Sequence, residues 1–166
     1  MKKLILIALV FCCIKVHAQS DNIYTYTTKA ISIGPEVNVP FTNSNYKIGF
    51  GGSVKGEWPI SEEVAFIGSG GVTKLFYKDE IIKNATDLFV PVKAGARYFF
   101  APEFYTNLEL GVSFGPSHYN TFAYGFGLGY LYRIKKHQGI DFGVQGERWG
   151  KNLLRQFAFR VGYRFD

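Results

Sequence analysis

The residues of this chain that could do chemistry are few, and their spacing suits charge pairing better than catalysis. Ser117 and His118 form the only serine–histidine neighbour pair. A serine nucleophile needs a histidine base within reach and a third group to orient that base. Neighbours in an extended segment point apart, and no acid is placed to orient His118. The polarity of an exposed loop therefore explains the pair better than a lipid-modifying esterase does. His137 lies in a basic turn and His17 near the N-terminus, which leaves no histidine cluster for a metal. Gly125, Gly127 and Gly129 read GxGxG inside an extended stretch with no helix after them, so they do not make a dinucleotide loop. What remains is a set of charges at alternating positions: Glu36, Lys55, Glu57, Lys93, Arg97, Glu109, Asp141, Arg160 and Arg164.

The stretches that carry these charges alternate with period two, the signature of strands. In 157–165, Phe157, Phe159, Val161, Tyr163 and Phe165 share one parity, while Ala158, Arg160, Gly162 and Arg164 share the other. The same pattern predicts strands at 29–41, 46–58, 64–77, 87–100, 104–114, 122–133 and 139–147. Pro35 predicts a bulge or an irregular hydrogen bond in the first strand. Tyr46 is expected to share a face with Ile48, Phe50, Val54 and Trp58. In the third strand Phe66 and Leu75 fall on opposite parities, and a bulge near Gly70-Gly71 would reconcile them. The segment 146–154, with Trp149, reads as a loop.

These strands are mostly longer than the usual five or six residues and match the roughly 9 to 11 that cross a bilayer at a tilt. Connections after the second, fourth and sixth are short, and those after the third, fifth and seventh longer. A soluble core could not bury the charged parity. If the charges faced water instead, the large residues Phe122, Tyr124, Phe126, Leu128, Tyr130 and Tyr132 of one strand alone would crowd the interior. The arrangement that satisfies both faces has apolar side chains towards lipid and charges towards the lumen, with Trp58, Tyr98, Phe100, Tyr130, Tyr132, Tyr163 and Phe165 as an aromatic girdle at one rim. The expected fold is thus all-β, an eight-stranded antiparallel up-and-down transmembrane β-barrel occupying 19–166.

The first 18 residues have the form of a secretory signal peptide: Lys2 and Lys3, an apolar run over 4–14, then Val16-His17-Ala18. Cleavage after Ala18 removes Lys2, Lys3 and Lys15 and lowers the formal charge from +6 to +3. It also removes Cys12 and Cys13, so the mature chain of 148 residues has no disulfide and no thiolate. Nothing divides that length into more than one domain.

Leu88-Phe89-Val90-Pro91-Val92-Lys93, Gly125-Phe126-Gly127-Leu128-Gly129-Tyr130 and Val161-Gly162-Tyr163-Arg164-Phe165 resemble segments of the small outer-membrane β-barrel family of Gram-negative bacteria, of the OmpA/OmpX type. The resemblance implies a bacterial outer-membrane location, outer-membrane lipids and the barrel-assembly machinery as partners, and a terminal aromatic assembly signal, here Tyr163 and Phe165. Asp166 follows that aromatic, a departure from the pattern. Gly56-Glu57-Trp58 is similar to the GxW of lipocalins, soluble barrels with a ligand cavity, but it lies on the second strand beneath a polar inward face.

An eight-stranded barrel is just wide enough for side chains to fill, which argues against a diffusion pore. Glu36, Lys93, Arg97, Glu109, Asp141 and Arg160 are the expected lumen charge network. The function expected is non-enzymatic: structural, adhesive or accessory to envelope assembly. A monomer is expected, with no cofactor, no metal and no nucleic-acid partner. The alternatives are a transporter of small apolar molecules, or a lipid-modifying enzyme using His118.

Overall fold

The computed structural model describes residues 27–41, 44–78, 85–116, 120–135, 137–150 and 154–166. The signal peptide expected at 1–18 and the Ser117-His118 pair lie outside them. Eight strands follow in order: β1 (Ala30–Pro40), β2 (Tyr46–Pro59), β3 (Val64–Tyr77), β4 (Thr86–Phe99), β5 (Phe104–Phe114), β6 (Asn120–Lys135), β7 (Gln138–Trp149) and β8 (Leu154–Phe165). Each pairs antiparallel with its neighbour, and β8 returns to β1 to close the barrel. Closure leaves neither terminal strand with an unpaired edge, as a chain crossing lipid with strands requires.

Alternation sets the two faces. Along β8 every residue of the parity of Leu154 is buried and every residue of the parity of Arg155 exposed. The exposed parity of all eight strands forms an apolar belt in which Phe126, the most open of the β6 aromatics, is 58% exposed. At the end of the short turns the belt finishes in aromatics. Phe104 packs on Tyr130 with ring centroids 4.9 Å apart, Tyr163 on Phe165 at 4.8 Å, and Trp58 on Phe66 at 5.9 Å. Both the start of β1 and the end of β8 lie at this turn end, where the Asp166 amide donates to the His137 carbonyl at 3.1 Å.

The seam pairs Ile31 with Phe165 and Val39 with Phe157 in one continuous register. Its ladder is interrupted at Gly34 and Pro35 without a register change. Pro35 has no N–H to donate. At Gly34 the strands approach so closely that a Cβ would stand 2.0 Å from the Val161 carbonyl oxygen.

Three expectations are corrected. β3 pairs with β2 through Gly70 and Gly71 without a shift, and with β4 it keeps one register from Gly70 to Thr73 across the unpaired Gly71 and Val72, so there is no bulge there. Ile67 and Leu75 simply point inward and are buried, while Phe66, Val72 and Lys74 stay outward. The irregularity lies instead in β2, between Tyr46 and Ile48. It turns Tyr46 into the interior, away from the face of Ile48 and Phe50. Trp149 is not in a loop: β7 continues to it, and its indole is buried inside the barrel.

Candidate functional site in the barrel interior

The interior is built in three layers. At the turn end Phe99, Tyr105 and Leu131 pack together. At the loop end Tyr46, Leu75, Phe89, Ala123, Trp149 and Leu154 form a second apolar plug, with Tyr77 against it. Above this plug both tyrosine hydroxyls donate to Asp87 Oδ2, Tyr46 at 2.6 Å and Tyr77 at 2.8 Å. Charged side chains from six strands fill the space between the plugs.

Arg97 on β4 is the hub. Its Nη1 donates to Glu57 Oε2 at 2.8 Å and its Nη2 to Asp141 Oδ2 at 3.2 Å. Its guanidinium carbon lies 3.7 Å from the centroid of the Tyr105 ring, whose hydroxyl donates to Asp141. A cation over an aromatic face in a desolvated place adds to the two ion pairs. The ring needs the glycine opposite it, because a Cβ on Gly129 would stand 2.1 Å from the Tyr105 ring carbon that bears the hydroxyl. Glu57 takes a second cation, Arg164, at 2.8 Å, and Arg164 also holds Thr28 Oγ1 at 2.8 Å. Asp141 takes Arg160 at 3.6 Å.

A second group lies nearer the loop end. Lys55 Nζ donates to Glu109 Oε1 at 2.6 Å and Asn107 Nδ2 to the same oxygen at 2.7 Å, while Ser69 Oγ donates to Oε2 at 2.6 Å. Lys93 pairs with Glu147, which also accepts from the Trp149 indole at 2.9 Å and from Gln156 at 3.1 Å. Glu36 accepts from Ser53 Oγ at 3.0 Å, and Arg160 Nε donates to the same hydroxyl at 2.9 Å. Of the six residues expected as a network, Arg97, Asp141 and Arg160 come together. Glu109 and Lys93 find their partners in Lys55 and Glu147, and Glu36 joins through Ser53.

The alternation alone does not reveal how Glu147, Tyr105 and Trp149 take part. Their signal is inward parity at the ends of β5 and β7, where an aromatic reads equally well as part of the outer belt. With Glu147 included, Lys55, Lys93, Arg97, Arg160 and Arg164 stand against Glu36, Glu57, Glu109, Asp141 and Glu147, so the layer between the plugs has as many cations as carboxylates. Buried charges without such pairing would cost several kcal/mol each.

Little space is left. The cavity lined by Glu36, Lys93, Arg97, Asp141 and Arg160 measures about 20 Å³, and one beside Ser53, Ser69 and Lys93 about 10 Å³. Each has room for little more than a water molecule. Among the described residues, no group of three or more His, Cys, Asp or Glu is placed to hold a metal ion.

No family model matches the sequence, and no curated protein matches it. Solved structures do. The crystal structure of Ail, the attachment invasion locus protein of Yersinia pestis, is similar with a TM-score of 0.59 at 19% identity, over 82% of this chain and 97% of that one. The backbone structure of Ail in a phospholipid bilayer nanodisc gives a TM-score of 0.56 at 17% identity, over 83% of this chain and 100% of that one. A designed transmembrane β-barrel gives 0.55 at 16%, over 83% of this chain and 98% of that one. At these identities the likeness is one of fold: the chain is a closed eight-stranded antiparallel transmembrane β-barrel.

Proposed function

We propose that this chain is a non-enzymatic integral protein of the bacterial outer membrane, a closed and rigid barrel whose work is done by its surface loops in adhesion or envelope integrity. The observation that carries the reading is the filled interior. Two apolar layers enclose a hydrogen-bonded layer with as many cations as carboxylates, and the spaces between are water-sized. A lumen of this kind offers no route for a solute, so it acts as a structural core. Secretion by cleavage after Ala18, insertion by the barrel-assembly machinery through the Tyr163–Phe165 end, contact with outer-membrane lipid and a monomeric state belong to the same reading. The belt of outward apolar residues supports the membrane setting. Attachment is named for Ail, which shares the fold, and loops on a stable barrel are the natural place for such a role here.

The test combines two measurements on the full chain expressed in a Gram-negative host. Outer-membrane fractionation with heat-dependent gel mobility is expected to show a folded barrel beginning at Gln19. Planar-bilayer recordings of the same material are expected to show no stable conductance steps. Steady single-channel currents would overturn the closed-core reading, and recovery in the soluble periplasmic fraction would overturn the membrane one.

A further inference from the structure

Tyr46 opens β2 and Tyr77 ends β3, and the two stand directly opposite each other in the β2–β3 ladder. Both belong to the loop end, where 41–45 leads into β2 and 78–85 follows β3. With Tyr46 turned inward by the irregularity that follows it, its ring lies beside that of Tyr77, the centroids 4.6 Å apart and the planes at 49°. Among the described residues this is the one ring contact between two tyrosines. The other tyrosine contacts with an aromatic ring are to phenylalanine.

The hydroxyl ends are held together as well. The two oxygens are 3.3 Å apart, and both donate to Asp87 Oδ2, at 2.6 Å from Tyr46 and 2.8 Å from Tyr77. A phenol hydrogen-bonded to a carboxylate has a base at hand to take its proton as an electron leaves. Asp87 and Tyr77 are partly exposed, whereas Tyr46 is buried. An oxidant in solution therefore reaches the pair through Tyr77, and Asp87 passes the protons on to water. Tyr105 also donates to an interior carboxylate, but it is buried against the Arg97 cation and has no tyrosine ring beside it.

We propose that Tyr46 and Tyr77 are an oxidative modification site, at which a peroxide acting as a one-electron oxidant joins the two rings as dityrosine and staples the loop end of β2 to that of β3. Each phenol gives one electron to the oxidant and one proton to Asp87, which releases the first proton to water before taking the second. The two phenoxyl radicals form a carbon–carbon bond between the ring positions next to their oxygens. The hydrogen on each joined carbon then leaves as a proton while the neighbouring oxygen takes one up, which restores both hydroxyls. The protein loses two electrons and two protons in all, and the peroxide takes the two electrons as its O–O bond breaks. Rings already in contact couple within one chain faster than rings that must meet between chains.

The test exposes the mature chain, folded in neutral-detergent micelles, to peroxodisulfate with a photo-excited ruthenium tris-bipyridyl complex, and maps tryptic peptides by tandem mass spectrometry. Peptides 30–47 and 75–78 hold one tyrosine each, Tyr46 and Tyr77. Their cross-link weighs two hydrogens less than their sum. It is expected to exceed any other tyrosine pair by about tenfold or more, in a product that runs as a monomer. The heat-unfolded chain is expected to lose that preference and spread coupling over its 11 tyrosines. Tyr77→Phe is expected to abolish the cross-link. Asp87→Asn keeps the shape but not the base, and is expected to lower the yield by about tenfold or more. Heat-dependent gel mobility reports whether each variant folds, and if Asp87→Asn does not, the comparison of folded with unfolded wild type decides alone. Absence of the Tyr46–Tyr77 pair from the folded wild type would overturn the proposal, as would a preference no greater than in the unfolded chain or a cross-link confined to a dimer band. An unchanged yield in folded Asp87→Asn would overturn it as well.

Discussion

Replacing Arg97 with Met tests whether the interior charges act as a connected core. The substitution keeps much of the side-chain length and removes the cation from a residue that is only 2% exposed. Two carboxylates lose their contact, Glu57 at 2.8 Å and Asp141 at 3.2 Å. Neither is left bare, because Glu57 keeps Arg164 at 2.8 Å and Asp141 keeps Arg160 at 3.6 Å and the Tyr105 hydroxyl. The loss is therefore that of one broken buried pair rather than two, about 3 to 5 kcal/mol. At about 1.4 kcal/mol per decade this lowers the folding equilibrium roughly 10² to 10⁴-fold. Urea titration in phospholipid micelles reads it through the two tryptophans, Trp58 facing lipid and Trp149 facing inward. Adding Asp141→Asn removes the negative charge left behind, so the double variant is expected to lose less than the sum of the singles by about 1 to 3 kcal/mol. Conductance is expected to stay absent, because both apolar layers remain. Stability of Arg97→Met within about 0.5 kcal/mol of wild type would refute the connected core, since that is the range of ordinary surface changes.

Gly34→Val places a side chain where a Cβ already stands 2.0 Å from the Val161 carbonyl; the β1–β8 seam is expected not to close, and heat-dependent gel mobility to disappear. Phe159→Arg puts a cation on the lipid face midway along β8 and is expected to cost about 2 to 4 kcal/mol in the same urea titration, whereas Phe159→Leu is expected to cost less than about 1.5 kcal/mol. Phe165→Ala is expected to slow barrel assembly in cells, measured as the heat-modifiable fraction after a pulse of synthesis, while leaving stability in micelles nearly unchanged.

Most of the fold was legible because the two faces of most strands differ in chemistry. In β6 and β8 the outward parity is almost wholly aromatic or aliphatic and the inward parity is mostly small or charged, so period two identifies both strand and facing. The reading failed where the inward residue is also apolar. Ile67, Leu75 and Trp149 belong to the interior but have the hydropathy of the outer belt, and alternation cannot separate the two. Alternation places Tyr46 on the wrong face because the irregularity between Tyr46 and Ile48 shifts parity with no glycine or proline between them to mark it. The charges were recognisable as a set, but their partners were not. Lys55 meets Glu109 and Lys93 meets Glu147 across the lumen, at separations of 54 residues in each case, and only closure of the barrel brings such positions together.

The facing of β8 is the claim on which the rest depends, and site-directed spin labelling measures it directly. With Cys12 and Cys13 lost with residues 1–18 or replaced, single cysteines from 155 to 165 can be labelled one at a time in the barrel reconstituted into liposomes. Labels at 157, 159, 161 and 163 are expected to be relaxed by oxygen, which partitions into lipid, while labels at 158, 160 and 162 are shielded from it. The opposite alternation, or none at all, would contradict a barrel with its aromatic face in the membrane and its charges within.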